Sequence, residues 1–179
     1  LIHAQAIHSA RLFVRQALAD ALSQDFLAVY QRHNIEQDYA PDASQIGRRS
    51  LKNTALSYLM LVDQVGVDLA SQQFESADNM TDKATALSCL VNCPAAAPQA
   101  ETALQQFEQQ YRDEALVMNL WLQVQAANSQ PGGLQRVEEL EGHGTFTLSN
   151  PNKIRSLIGG FCNGNLVNFH SPDGSGYEF

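Results

Sequence analysis

A chain of 179 residues that is 44% hydrophobic and 17% charged is long enough to bury a core and has a globular rather than a disordered composition. Its formal charge of −8, with 19 acidic against 11 basic residues, argues against a nucleic-acid surface, which needs clustered Lys and Arg. No run approaches the roughly 18 to 20 consecutive apolar residues of a membrane span, so the expectation is a soluble, cytoplasmic protein with neither a nucleic-acid nor a membrane partner.

Leu1 opens directly into amphipathic helix, without a basic region or cleavage site. Ile7, Ala10, Val14, Ala17, Leu18 and Leu22 keep helical spacing and predict a buried stripe. Ser23 is placed to cap a second helix carrying Phe26, Leu27, Val29 and Tyr30. The polar stretch His33 to Ser44, with Pro41, reads as a loop, and Asp42 followed by Gln45 has the form of a variant capping box. Ile46, Leu51, Ala55, Leu56, Leu59 and Met60 then predict a long apolar helix ending at Gly66. Val67 to Ala77 is the next helix, with Leu69, Ala70, Phe74 and Ala77 inward, and Asp78-Asn79 breaks the chain.

Thr81 and Asp82 suit a helix N-terminus, and Ala84, Leu87, Leu90 and Val91 are its apolar positions before Pro94 stops it. Ala95 to Pro98 reads as a linker. A helix over Gln99 to Arg112 turns Ala103, Leu104, Phe107 and Tyr111 inward, and Leu116 to Ala127 follows with Trp121 as its anchor. Pro131-Gly132-Gly133 punctuates, Leu134 to Leu140 supplies another helix, and Gly142 to Gly144 closes it. Asn150 and Pro151 are an N-cap and a first helical position, with Ile154, Leu157, Ile158 and Phe161 on one face behind them.

No segment needs a β-strand. About nine helices joined by short connections predict an all-α fold, an irregular superhelical stack of antiparallel hairpins of the ARM/HEAT-like solenoid kind, in one helical domain over 1–179. The missing initiator Met and the interrupted apolar pattern at Tyr177-Glu178-Phe179 mark the chain as a fragment of a larger protein.

Chemistry is sparse. Cysteines at 89, 93 and 162 are odd in number and lack CxxC spacing, so neither a disulfide framework nor a zinc site is expected. The five histidines form no HExxH pair, and GxSxG, P-loop and GxGxxG patterns are absent. Gly159-Gly160 and Asp173-Gly174-Ser175-Gly176 read as packing glycines and a helix-entry turn. Glu138, Glu139 and Glu141 near Arg136, and Asp113-Glu114 at a helix junction, read as solvated or dipole-favoured carboxylates. Cys162 is a small packing residue. The residues by themselves predict a scaffold with no catalytic group and no metal site in this chain. Arg155 stands outside the apolar stripe beside small neighbours, either under a closely packed element or facing open space.

Three stretches carry a resemblance: Gly47-Arg48-Arg49-Ser50-Leu51-Lys52-Asn53, Asn79-Met80-Thr81-Asp82 with Leu87-Ser88, and NPNKIRSLIGGF through FHSPDGSGYEF. With the helix around Leu116-Val117-Met118 and Trp121, they resemble the C-terminal helical domain, domain IV, of bacterial aminopeptidase N, a member of the M1 zinc metallopeptidases. The resemblance implies a parent hydrolase of four domains that releases N-terminal amino acids from peptides. Its HExxH zinc ligands and GAMEN-type strand belong to a catalytic domain absent here, and in the family further helices follow the point matching Phe179. This domain, inactive alone, would pack on its own catalytic domain and wall the chamber that admits small peptides. Arg155 matches a family arginine that looks into the chamber, where it would bind the peptide or, alternatively, make an ion pair; Lys153 is expected to be solvated. The other reading is a free-standing helical-repeat module for protein–protein interaction.

Overall fold

The computed structural model describes residues 3–62 and 64–179. Among the described residues there are eleven α-helices and no strand. They are α1 (Ala4–Ala21), α2 (Ser23–His33), α3 (Ala43–Leu59), α4 (Gln64–Ser76), α5 (Met80–Val91), α6 (Ala97–Tyr111), α7 (Ala115–Ala126), α8 (Gly133–Glu141), α9 (151–164), α10 (Leu166–Phe169) and α11 (Ser175–Glu178). The two helices beyond the expected nine, α10 and α11, are single turns too short to show an apolar period.

Local chemistry sets most of the boundaries. The Asp42 carboxylate accepts the Gln45 N–H at 2.9 Å, Asn79 accepts that of Asp82 at 2.9 Å, and Asn150 accepts that of Asn152 at 3.0 Å, each satisfying an N–H without a helical partner. The box at Asp42 is incomplete, because Gln45 Oε1 accepts from Ala40 N at 2.9 Å instead of reaching the Asp42 N–H. Ser23 does not cap α2; Leu22 holds that position without a side-chain bond, and α2 follows α1 with almost no break. The expected linker at Ala95 to Pro98 is helical: a 3₁₀ turn over Pro94–Ala96 runs directly into α6.

The chain divides into two compact units, Ala10–Ala100 and Leu1–Ser9 with Glu101–Phe179. In the first, α2 packs along α3 and α4 along α5, burying Tyr30, Leu56, Leu59, Val67, Phe74, Leu87 and Leu90. Gly66 does not end α3; it lies inside α4, buried, and a Cβ there would stand 2.4 Å from the Leu59 carbonyl oxygen. Only glycine permits that approach of one helix start to the preceding helix end. Ala86 takes the fully buried place expected of Ala84, which is half-buried like Val91.

Two expected apolar stripes are not buried. On α1 only Ala19 is enclosed, while Ile7, Val14 and Leu18 stay exposed, as does Leu22 just beyond it. Periodicity defines a face, but burial needs an element laid against it. On α3, Ile46 and Leu51 are exposed, and the inward row is Lys52, Asn53, Ala55, Leu56 and Leu59. Two polar residues enter that row because Asp82 of α5 lies opposite. Its Oδ2 accepts from Lys52 Nζ at 2.7 Å and Asn79 Nδ2 at 3.1 Å, and its Oδ1 from Asn53 Nδ2 at 2.8 Å. Gln73 of α4 donates to Asn53 Oδ1 at 2.9 Å and to the Asp82 carbonyl at 3.0 Å. This network occupies the junction of α3, α4 and α5.

In the second unit Phe107, Met118, Leu122, Val137, Leu140, Leu157 and Phe161 are buried. Trp121 anchors α7 as expected, with Nε1 donating to the Leu104 carbonyl at 3.0 Å. The open end of α7 is closed by amides: fully buried Asn165 donates to the Ala126 and Asn128 carbonyls at 3.1 and 2.6 Å, and Asn168 donates to Gln130 O at 3.1 Å and Asn165 Oδ1 at 2.8 Å. Arg136 is not merely solvated. Its Nε and Nη2 donate to buried Gln125 Oε1 at 3.0 and 2.7 Å, and its Nη1 pairs with Glu139 at 3.1 Å.

Candidate functional site: Arg155 on a helix with a π turn

α9 starts regularly, with the Asn150 cap and Pro151 at its first position. Its middle, Arg155–Gly159, is wound as π-helix, and α-helical winding resumes at Gly160–Gly164. π turns inserted in α-helices recur at functional positions. The insertion keeps Leu157 and Phe161 fully buried, with Ile154 and Ile158 half-buried, while Arg155 remains exposed. Gly160 faces α7, and a Cβ on it would lie 3.3 Å from the Ala126 Cβ, so this side of α9 seats closely on α7.

Among the described residues Arg155 is exposed, and its Nη1 reaches Asn152 Oδ1 at 3.5 Å. Among the described residues no carboxylate pairs with it. Lys153, expected to be solvated, instead donates from Nζ to the Thr145 carbonyl and is half-buried, which ties α9 to the segment preceding it. Asn163 Nδ2 donates to the Gly159 carbonyl at 2.9 Å, within the following turn.

The other recurrent motifs turn out to be structural. Lys52 and Asn53 of the first stretch meet Asn79 and Asp82 of the second in the buried network. In the DGSGY stretch Asp173 Oδ1 accepts from the Ser175 N–H at 3.0 Å and its hydroxyl at 2.7 Å, and these bonds, the hydroxyl's first, hold the carboxyl below its usual pKa. Gly174 has φ of 80°, and a Cβ on Gly176 would stand 2.2 Å from the Phe169 carbonyl oxygen. The packing-glycine reading of that run describes its geometry.

No group of three or more His, Cys, Asp or Glu that could hold a metal ion occurs among the described residues. His143 lies 3.4 Å from Glu108, with its ring 5.2 Å from that of Trp121, in a cavity of about 260 Å³ lined also by Arg136 and Glu139. The thiol of Cys89 is pushed up to about 12, chiefly by burial, with Cys93 adding and Arg15 opposing. That value leaves it protonated and a poor nucleophile at neutral pH. No helix among the described residues is long and apolar enough to cross a membrane. Sequence reasoning missed the buried Lys52–Asp82 pair and the π turn. The pairing joins residues 30 positions apart, and the π turn packs against α7.

The chain is 36% identical over 178 residues to aminopeptidase N of Haemophilus influenzae and 38% identical over 175 residues to aminopeptidase N of Escherichia coli. These alignments cover 99% and 97% of this chain and 20% of each relative, so the chain spans about one fifth of their length. A solved structure of Legionella pneumophila aminopeptidase A in complex with aspartic acid superposes with a TM-score of 0.86 at 34% identity, over 97% of this chain and 21% of that one. Residues 1–179 match the family described as "Domain of unknown function (DUF3458_C) ARM repeats", and with a fully helical fold the chain belongs to that family.

Proposed function

We propose that this chain is the non-catalytic C-terminal helical domain of a zinc-dependent M1 aminopeptidase of the cytoplasm, where it packs on the catalytic domain and walls the chamber through which small peptides pass. The observation that carries the reading is the exposed Arg155, presented by a π turn and held by one neutral contact, in a chain similar to aminopeptidase N relatives along nearly its whole length. A guanidinium has five donors in a planar fork, and Asn152 engages one of them. The remaining face suits a peptide carboxylate or backbone carbonyl, bound by charge-assisted hydrogen bonds that strengthen once water is excluded. Zinc and the groups that activate water belong to the catalytic domain; this chain contributes enclosure and the placement of positive charge.

The test is Arg155→Ala in the full-length enzyme, assayed on a set of short peptides and on an alanine arylamide. Loss of one charge-assisted contact lowers kcat/KM for peptides by about ten- to a hundredfold, on the order of 1.5–3 kcal/mol. The arylamide, which lacks the carboxylate, is affected less, and thermal stability is unchanged. An unaltered kinetic profile with a lower melting temperature would overturn the chamber role and favour an ion pair with another domain. A coding sequence with no HExxH upstream would instead support the free-standing interaction module.

A further inference from the structure

The Ala10–Ala100 unit holds a cavity of about 690 Å³, within the usual range of small-molecule sites. Its walls are the end of α2, the segment 34–39, the first half of α3 and the α4–α5 turn. Its lining is polar, with the Lys52–Asp82 network among the lining residues.

Two observations mark it as a site. First, Arg48 and Arg49 are half-buried, yet both are held by neutral acceptors. Arg48 Nη1 donates to Gln37 Oε1 at 3.2 Å; Arg49 donates to the Ala40 carbonyl and Gln45 Oε1 and lies 5.0 Å over the Tyr39 ring. In a chain with 19 acidic and 11 basic residues, two adjacent guanidiniums with no carboxylate partner among the described residues are out of keeping with its surplus of acids. Gln73, 3% exposed, is part of the wall: its Oε1 is enclosed and has no hydrogen-bond partner, so it is not open to a ligand. Its amide cannot be reversed, because Nε2 donates to two oxygens, Asn53 Oδ1 and Asp82 O. Second, Glu36, Asp38 and Asp78 line the same cavity, whereas the charge of Lys52 is cancelled by Asp82. The cavity therefore offers two guanidiniums and three carboxylates as its charged groups, apart from the Lys52–Asp82 pair.

We propose that this cavity binds the zwitterion of a free α-amino acid, its carboxylate on Arg48 and Arg49 and its ammonium toward the carboxylates of Glu36, Asp38 and Asp78. The proposal does not depend on any peptide contact at Arg155.

The test is calorimetric titration of the full-length polypeptide with L-serine, L-serinamide and 3-hydroxypropionate, repeated on the Arg48→Gln/Arg49→Gln variant. Serine should bind, with the amide and the ammonium-free acid each at least about tenfold weaker, as the loss of one charge-assisted end requires. The double variant should lose the serine heat attributable to this site while any binding elsewhere persists. If it unfolds, Arg48→Gln alone carries the comparison, since that side chain's one described contact is Gln37. A serine isotherm unchanged by the variants, equal binding of 3-hydroxypropionate, or no serine binding at all would overturn the proposal.

Discussion

Replacing Asp82 by Asn changes one atom and exposes the cost of a buried charge. Asp82 is 4% exposed and Lys52 is 7% exposed, and their 2.7 Å contact is the ammonium's one ionic partner. Asn cannot neutralise Lys52, and whichever way its amide turns, an N–H₂ faces a donor, either Lys52 Nζ or Asn53 Nδ2. Breaking a buried pair on one side costs about 3–5 kcal/mol, because the remaining charge stays desolvated. For a chain of this length about 1 kcal/mol moves the melting temperature by roughly 2–4 °C, so Asp82→Asn should lower it by about 10 °C in circular-dichroism melts at pH 7. Removing both charges with Lys52→Met and Asp82→Leu should recover at least half of that loss, since no uncompensated charge remains. A shift below about 3 °C for Asp82→Asn, or a double variant no more stable than the single, would refute the assignment of Asp82 as the buried counter-charge.

Asn165→Ala removes the donor to the Ala126 and Asn128 carbonyls at the end of α7, and should cost about 2–3 kcal/mol in urea denaturation; a neutral result would mean water replaces the amide freely. Gly66→Ala places a Cβ 2.4 Å from the Leu59 carbonyl oxygen and should destabilise by about 1–3 kcal/mol, whereas Gly47→Ala, which meets open space inside α3, should not. Alkaline pH should weaken the fold through Tyr30, whose phenol is pushed up to about 12, first by burial and then by Asp82 and Cys89. The neutral phenol is the form the fold favours, so its contribution is whole below the ordinary value of 10 and is lost as pH rises from there toward about 12. The urea midpoint should fall across that window less steeply in Tyr30→Phe, and parallel curves would refute the assignment.

The starts at Asp42 and Asn150 were readable because their signals are local: each bonds a backbone N–H two or three residues away. Asn79, read as a chain break, caps α5 in the same way, whereas Ser23, expected to cap α2, does not. Helix ends and burial were less readable. Gly66 carries the same residue-level signal whether it stops a helix or lets one approach another; its role followed from where Leu59 lies. Asp82 was placed correctly at a helix N-terminus, but the capping rule had no term for Lys52, 30 residues earlier.

The order of apolar and polar residues, read alone, determined an all-helical chain, its principal helices, the Trp121 anchor and the Asn150-Pro151 start of the helix that bears Arg155. It did so because period and capping are properties of neighbouring residues. The tertiary structure alone decided which stripes are covered, leaving Val14 and Ile46 exposed while Lys52 and Gln73 went inside. It also decided that Arg155 projects outward from a π turn seated on α7. Those outcomes depend on what lies opposite each face, and an isolated helical pattern does not carry the identity of its neighbour.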